Sequence, residues 1–235
     1  MIAVTFALPA ESSEFIRRLQ DPKRARHEDI EIITGALHGQ AVTVLHTGVG
    51  EKSARARLGT FLEEHIPTCL ISSGFAGALD ETLQVGDLLL AENFSASSLV
   101  DSARPALSTI QVQVGSMTTA HEVIDSALGR QQIAASTRAV AVDMETEFIA
   151  QLCAQKAIPM LSLRAITDTP DAPFPAPPRV LFNIGRQKTE FAPLFWYLLL
   201  RPQAIFRFLS FAQNIARSRK ALTSALDLLL REQLL

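Results

Sequence analysis

Four ionisable residues stand at the ends of two apolar runs: Asp143 and Glu145 in Ala139-Val-Ala-Val-Asp-Met-Glu-Thr146, and Arg164 and Asp168 in Leu163-Arg-Ala-Ile-Thr-Asp168. Apolar runs of this kind are buried strands, and a carboxylate at the end of a strand in an open α/β sheet points into the crevice where loops diverge and ligands bind. Joined by a helix over 145–156, the two strands place Glu145, Arg164 and Asp168 around one pocket. Carboxyl groups gathered in one pocket are suited to general acid–base chemistry. Glu11, just after the first strand in Ala7-Leu-Pro-Ala-Glu11, faces the same crevice. An acid in a first helical turn is also favoured by the macrodipole alone.

Two glycine turns join this edge. Thr47-Gly-Val-Gly-Glu-Lys-Ser53 ends a strand and opens a helix, where backbone N–H groups can hold an anion, and Ser73-Gly-Phe-Ala-Gly-Ala-Leu-Asp80 repeats the pattern after another strand. The first reads equally well as a tight strand-to-helix turn. Neither is a P-loop or a dinucleotide fingerprint, because Glu51 follows Gly50 and a third glycine is missing.

The elements that must carry these residues are strands over 2–7, 41–46, 68–73, 86–91, 110–115, 139–142 and 160–167, with helices near 11–20, 51–65, 121–135 and 145–156. Strands that are apolar on both faces and alternate with helices predict a three-layer α/β/α fold around a central mixed, largely parallel sheet, with a C-terminal helical extension. At 235 residues and 48% hydrophobic content the chain buries a full core. The expected division is a catalytic domain over 1–170, followed over 171–235 by a Pro-rich break at 170–178 and a basic helical tail.

That tail reads as helices over 193–200, 202–217 and 219–233. The second carries Ile205, Phe208, Leu209, Ala212 and Ile215 on one face and Arg207, Ser210, Asn214 and Arg217 on the other. A basic amphipathic helix lies on a membrane surface or packs on its own domain or a second subunit. The run from Phe191 to Leu200 is too short to span a bilayer.

A formal net charge of −2 argues against nucleic acid as a partner. Cys69 and Cys153 sit in apolar segments as reduced core thiols, and the five histidines form no ligand pair, so no metal site is expected. The N-terminus reads as a buried strand rather than a signal peptide, which makes the cytoplasm the default compartment, peripheral to the inner membrane face if the tail binds lipid.

Ala7-Leu-Pro-Ala-Glu11, Thr47-Gly-Val-Gly50, Ser73-Gly-Phe-Ala-Gly-Ala-Leu-Asp80 with Val85-Gly-Asp87, Val142-Asp-Met-Glu145 and Arg164-Ala-Ile-Thr-Asp168 occur in order. In this the chain resembles the purine nucleoside phosphorylase/uridine phosphorylase superfamily over residues 1–170, and most closely its nucleosidase branch, which acts on methylthioadenosine and S-adenosylhomocysteine. The Pro-rich break and basic tail resemble in addition the hopanoid-associated phosphorylases, whose implied substrate is adenosylhopane. The resemblance implies cleavage of an N-glycosidic bond with release of adenine. Asp168 would protonate purine N7, Glu145 would accept from the ribose hydroxyls, and Met144 would pack against the sugar. Glu11 would activate water and Arg164 would position water or phosphate. The backbone around Gly48, Gly74 and Val123 would line the nucleophile and base subsites.

Three positions depart from the family pattern. Phe75 replaces a small hydroxyl residue, Glu122 stands where an aromatic stacking partner is expected, and Asp143 replaces Glu, where it would cap the following helix. Phosphorylases hold their dianion with several arginines, and only Arg164 is placed for that, so hydrolysis leads and phosphate is a candidate co-substrate. No other cofactor is implied, and a homodimer or higher homo-oligomer is expected. A chain that binds nucleosides or membranes without catalysis is the alternative outside enzymes.

Overall fold

Alternation along the central strands sorts their side chains to two faces. Ile2, Val4 and Phe6 point to one side with Val42, Val44, Ile71, Leu161 and Leu163. Ala3, Leu45, Leu70 and Met160 point to the other. This computed structural model describes residues 1–27, 30–172, 175 and 204–232.

Among the described residues ten strands form one mixed sheet. Its centre is β4 (Gln40–His46), β1 (Ile2–Phe6), β5 (Cys69–Ala78) and β10 (Met160–Asp168), all parallel to their neighbours. A hairpin of β2 (Gln20–His27) and β3 (Ile30–Leu37) extends one side in antiparallel fashion. On the other side β6 (Leu88–Ala91) runs antiparallel to β10 and is followed by β7 (Val112–Gly115). Two short strands, β8 (Met117–Thr119) and β9 (Ala141–Asp143), branch from the end of β5.

Helices cover both faces. Ala54, Leu58, Phe61 and Leu62 of α2 (Glu51–Glu64) pack with Ile149 and Cys153 of α5 (Thr146–Gln155) on one. On the other, α1 (Pro9–Ile16) and α3 (Ser97–Ala106) pack with α6 (Ala204–Arg231), whose Leu222, Ala225, Leu226, Leu229 and Leu230 are fully buried. Between α3 and α5 lies α4 (Ala127–Thr137). The mixed three-layer architecture is as expected.

The differences have physical causes. Of the β2–β3 hairpin, β2 is absent from the expected strands because all of Gln20–His27 is exposed and carries no apolar signal, whereas β3, with Ile30, Ile33 and Leu37 buried, carries one that the expectation missed. The helix expected over 121–135 begins only at Ala127, where Ser126 caps it by accepting the Gly129 N–H at 3.1 Å. The helices expected over 202–217 and 219–233 are, where described, one helix. The Arg217-Ser-Arg-Lys220 run does not break it, because the Ser218 hydroxyl turns inward and donates to the Ile166 carbonyl at 2.6 Å. The helix expected over 193–200 and most of the Pro-rich stretch lie outside the described residues. Cys69 and Cys153 are buried free thiols, and burial pushes them up to about 11 and about 12. No helix of the described residues is long and apolar enough to cross a membrane.

Candidate active site

The carboxyl ends of β1, β5 and β10 converge on a cavity of about 370 Å³. Glu11, Glu145 and Asp168 all line it, each at least nine-tenths buried, together with Met144, Val123 and Phe75. Around these acids the wall is mostly apolar: Ala7, Leu8, Val49, Ile124 and Val142, closed on one side by Phe211 and Ile215 of α6.

Glu11 is held by the local chain. Pro9 starts α1 with a fixed φ, and two residues later the Glu11 carboxylate accepts the Leu8 N–H at 2.8 Å and the Phe75 N–H at 3.1 Å. A Cβ on Gly74 would stand 3.2 Å from Glu11 Oε1, so the glycine lets β5 approach the carboxylate. Burial raises the Glu11 pKa, while those two N–H groups and the positive charge of Arg164 counteract the rise.

Glu145 precedes α5, and its Oε1 accepts the Gly50 N–H at 2.8 Å. Burial pushes its pKa up to about 8, reinforced by the negative charges of Asp143 and Glu11. Asp143 turns away from solvent to accept the Thr146 N–H at the start of α5, the Thr119 hydroxyl at 2.9 Å and the Arg164 Nε at 3.2 Å. The expected helix-capping part of Asp143 is therefore observed.

Asp168 closes β10 just where the pairing with β5 slips, a bulge that re-aims the last side chain of the strand. Its Oδ1 accepts from the Thr167 hydroxyl at 2.9 Å and its Oδ2 forms a buried ion pair with Arg130. Burial raises the Asp168 pKa, and the Arg130 guanidinium counteracts this.

Three expected site residues lie outside the main cavity: Gly74, which backs Glu11, Arg164 and Gly48. Arg164 does not line the main cavity. It stands behind Glu11 and Glu145, and its Nε and both terminal nitrogens donate to Asp143, the Ser72 carbonyl and hydroxyl, the Leu163 carbonyl and the Thr146 hydroxyl. Its donors are engaged within the protein, it lines a separate small cavity with Glu11, Gly74 and Glu145, and its charge acts on both of those acids. The Gly48 N–H is likewise taken, by the Ala7 carbonyl at 3.0 Å, and Gly48 with φ +75° serves the turn. It borders a second cavity of about 550 Å³ across the Ala7–Leu8 turn, lined by Arg24, Arg26, Glu31, His46 and Arg57.

Four site residues were not singled out from the sequence. Arg130 lies on a helix whose only inward apolar residues, Ile133 and Ala134, are partly buried, so its charge reads as solvated. Phe211 and Ile215 join the wall only because α6 folds back across the sheet. The position of Gly77 carried a signal, a second glycine in Gly74-Phe-Ala-Gly77, without saying what it must approach.

The family model of the phosphorylase superfamily matches residues 1–105 and 95–183. The 5'-methylthioadenosine/S-adenosylhomocysteine nucleosidase of Staphylococcus epidermidis is 26% identical over 196 residues, covering 72% of this chain and 86% of that protein. The Neisseria meningitidis nucleosidase of the same name, solved with methylthio-immucillin-A, superposes with a TM-score of 0.76 at 19% identity over 98% of both chains. Futalosine hydrolase of Helicobacter pylori superposes with a TM-score of 0.76 at 17% identity, over 98% of this chain and 97% of that one. The overlapping matches take in most of the sheet and every acid of the cavity, and the chain belongs to the phosphorylase superfamily.

Proposed function

We propose that this chain is a nucleosidase that hydrolyses the N-glycosidic bond of a 5′-substituted adenosine and releases adenine. The observation that carries this reading is the meeting of Glu11, Glu145 and Asp168, from three separate elements, on one largely apolar cavity. Its size suits a nucleoside. As the C1′–N9 bond breaks, Asp168 delivers a proton to N7 of the departing base. Glu145 accepts from the ribose hydroxyls while Met144 packs on the sugar. Glu11 takes a proton from the water whose oxygen bonds to C1′. The charge of Arg164 favours the ionised form of Glu11, which the step requires, and Val123 and Phe75 wall the base and sugar. The chemistry resembles that named for the nucleosidase and futalosine hydrolase relatives.

The 5′ substituent is apolar in this reading, and a hopanoid group is the one the tail implies. Phe211 and Ile215 continue along α6 to Ile205, Phe206 and Leu209, which are 45%, 77% and 58% exposed. With Arg207 and Arg217 on the same helix, this surface suits an anionic membrane at the inner face, where a lipid substrate resides.

Incubation with 5′-methylthioadenosine and with adenosylhopane, with and without orthophosphate, tests the proposal. Free adenine and a reducing sugar in phosphate-free buffer are expected. No turnover of any 5′-substituted adenosine overturns it, and adenine binding without turnover identifies a non-catalytic binder. A second reading, phosphorolysis, is favoured by the arginines of the second cavity beside Gly48. A strict requirement for orthophosphate would establish it in place of hydrolysis.

A further inference from the structure

Helix α4 docks on the sheet in an unusual way: Arg130 is its one buried residue. That side chain is 2% exposed. A helix normally docks through an apolar stripe, and a buried guanidinium is costly to desolvate unless its partners are well placed. Here Nη1 donates to the Ala78 carbonyl at 2.8 Å and Nη2 pairs with Asp168 Oδ2. Gly77 leaves room for the pair, since a Cβ there would stand 2.7 Å from Asp168 Oδ2 and 3.1 Å from Arg130 Nη1. The segment that leads into α4, Glu122-Val-Ile124, walls the cavity, as does Arg130 itself.

We propose that Arg130 is a positioning residue for the reaction: its guanidinium clamps the Asp168 carboxyl group in orientation and, by the same contact, docks α4 and the cavity wall that precedes it. This rests on the nucleosidase reading above. A guanidinium does not give up a proton, so Arg130 is no donor to the base and acts through Asp168. The Thr167 hydroxyl on Oδ1 and Arg130 on Oδ2 together fix the carboxyl plane. Displacement of a reacting group by about 1 Å costs on the order of 100-fold in rate, so loss of one of these two anchors falls on turnover.

The test is a double-mutant cycle with 5′-methylthioadenosine as substrate and adenine as binding probe. Arg130→Gln is expected to lower kcat by about 10- to 100-fold, with a smaller change in KM. Arg130→Lys restores part of the loss, because an ammonium supplies the charge without the planar fork. In the Asp168→Asn background, Arg130→Gln lowers kcat no further. Wild-type kcat in a folded Arg130→Gln, or losses that multiply in the double variant, overturns the proposal. If Arg130→Gln alone fails to fold, Arg130→Lys and the double variant, which buries no unpaired charge, give the same decision. A wild-type chain that binds adenine and cleaves nothing overturns the nucleosidase reading. The clamp is then decided by adenine affinity, which Arg130→Gln must weaken at least about 10-fold. A chain that neither binds nor cleaves overturns both.

Discussion

The backbone N–H of Gly50 donates to Oε1 of Glu145 at 2.8 Å, across 95 residues of sequence. The helix start that would hold a ligand's anion is thus filled by a carboxylate of the protein, and Gly50, at φ +82°, gives the turn the shape to reach it. One glycine motif and one acid that look independent in sequence form a single device.

That device has a pH signature. Burial and the neighbouring carboxylates raise the folded-state pKa of Glu145 from 4.5 to about 8, so the folded chain holds more protons than the unfolded one in that window. The contribution of Glu145 to stability is full below 4.5, is lost as pH rises through about 8, and falls no further above it. Glu145→Gln, which keeps an acceptor for Gly50, is expected to flatten this decline. Melting temperatures across the window check it, and an equal fall in wild type and variant refutes it.

Asp168→Asn should lower kcat for adenine release by about 10²- to 10⁴-fold, the usual span of a general acid. Arg130 is then left without its anion, and breaking a buried pair from one side costs roughly 3–5 kcal/mol of stability. Adenine binding by calorimetry separates the two effects, and retained binding with lost turnover is the expected outcome.

Gly77→Ala places a methyl group 2.7 Å from Asp168 Oδ2. Overpacking of this kind costs about 1–3 kcal/mol, and here the strain falls on the acid itself. Denaturant unfolding should show the loss, and kcat should drop more than KM rises. A variant with unchanged kcat would mean that the carboxyl group tolerates displacement.

Phe211→Ala removes apolar wall at the α6 side of the cavity. For a substrate with a large apolar 5′ group, the lost contact should raise KM by about 10-fold, while unsubstituted adenosine is affected little. Equal effects on both would place the 5′ group elsewhere.

Phe206→Ser with Leu209→Ser removes the most exposed apolar side chains of α6. The wild-type chain should sediment with anionic vesicles and the double variant should not, with melting temperature unchanged because neither residue is in the core. Equal sedimentation would show that this face does not meet the lipid.

The central sheet was legible because β1, β4, β5 and β10 are buried on both faces and therefore read as unbroken apolar runs. The β2 strand was not, since Gln20–His27 pairs through its backbone while every side chain meets water. Glu11, Glu145 and Asp168 were legible as acids at strand ends, a position that dictates their direction. Arg164 was placed at the right strand, yet nothing in sequence told which way its donors would be spent. Arg130 was invisible because its partner is 38 residues away and a charge on a helix reads as surface.

The unbroken helix Ala204–Arg231 carries the outer wall of the cavity and the innermost leucines of the core on one rod. Phe211 and Ile215 cannot swing aside as a flap unless the rod bends between Ile215 and Ser218 or the core gives way. The α6 side is therefore a fixed bank against which a ligand in the cavity is measured.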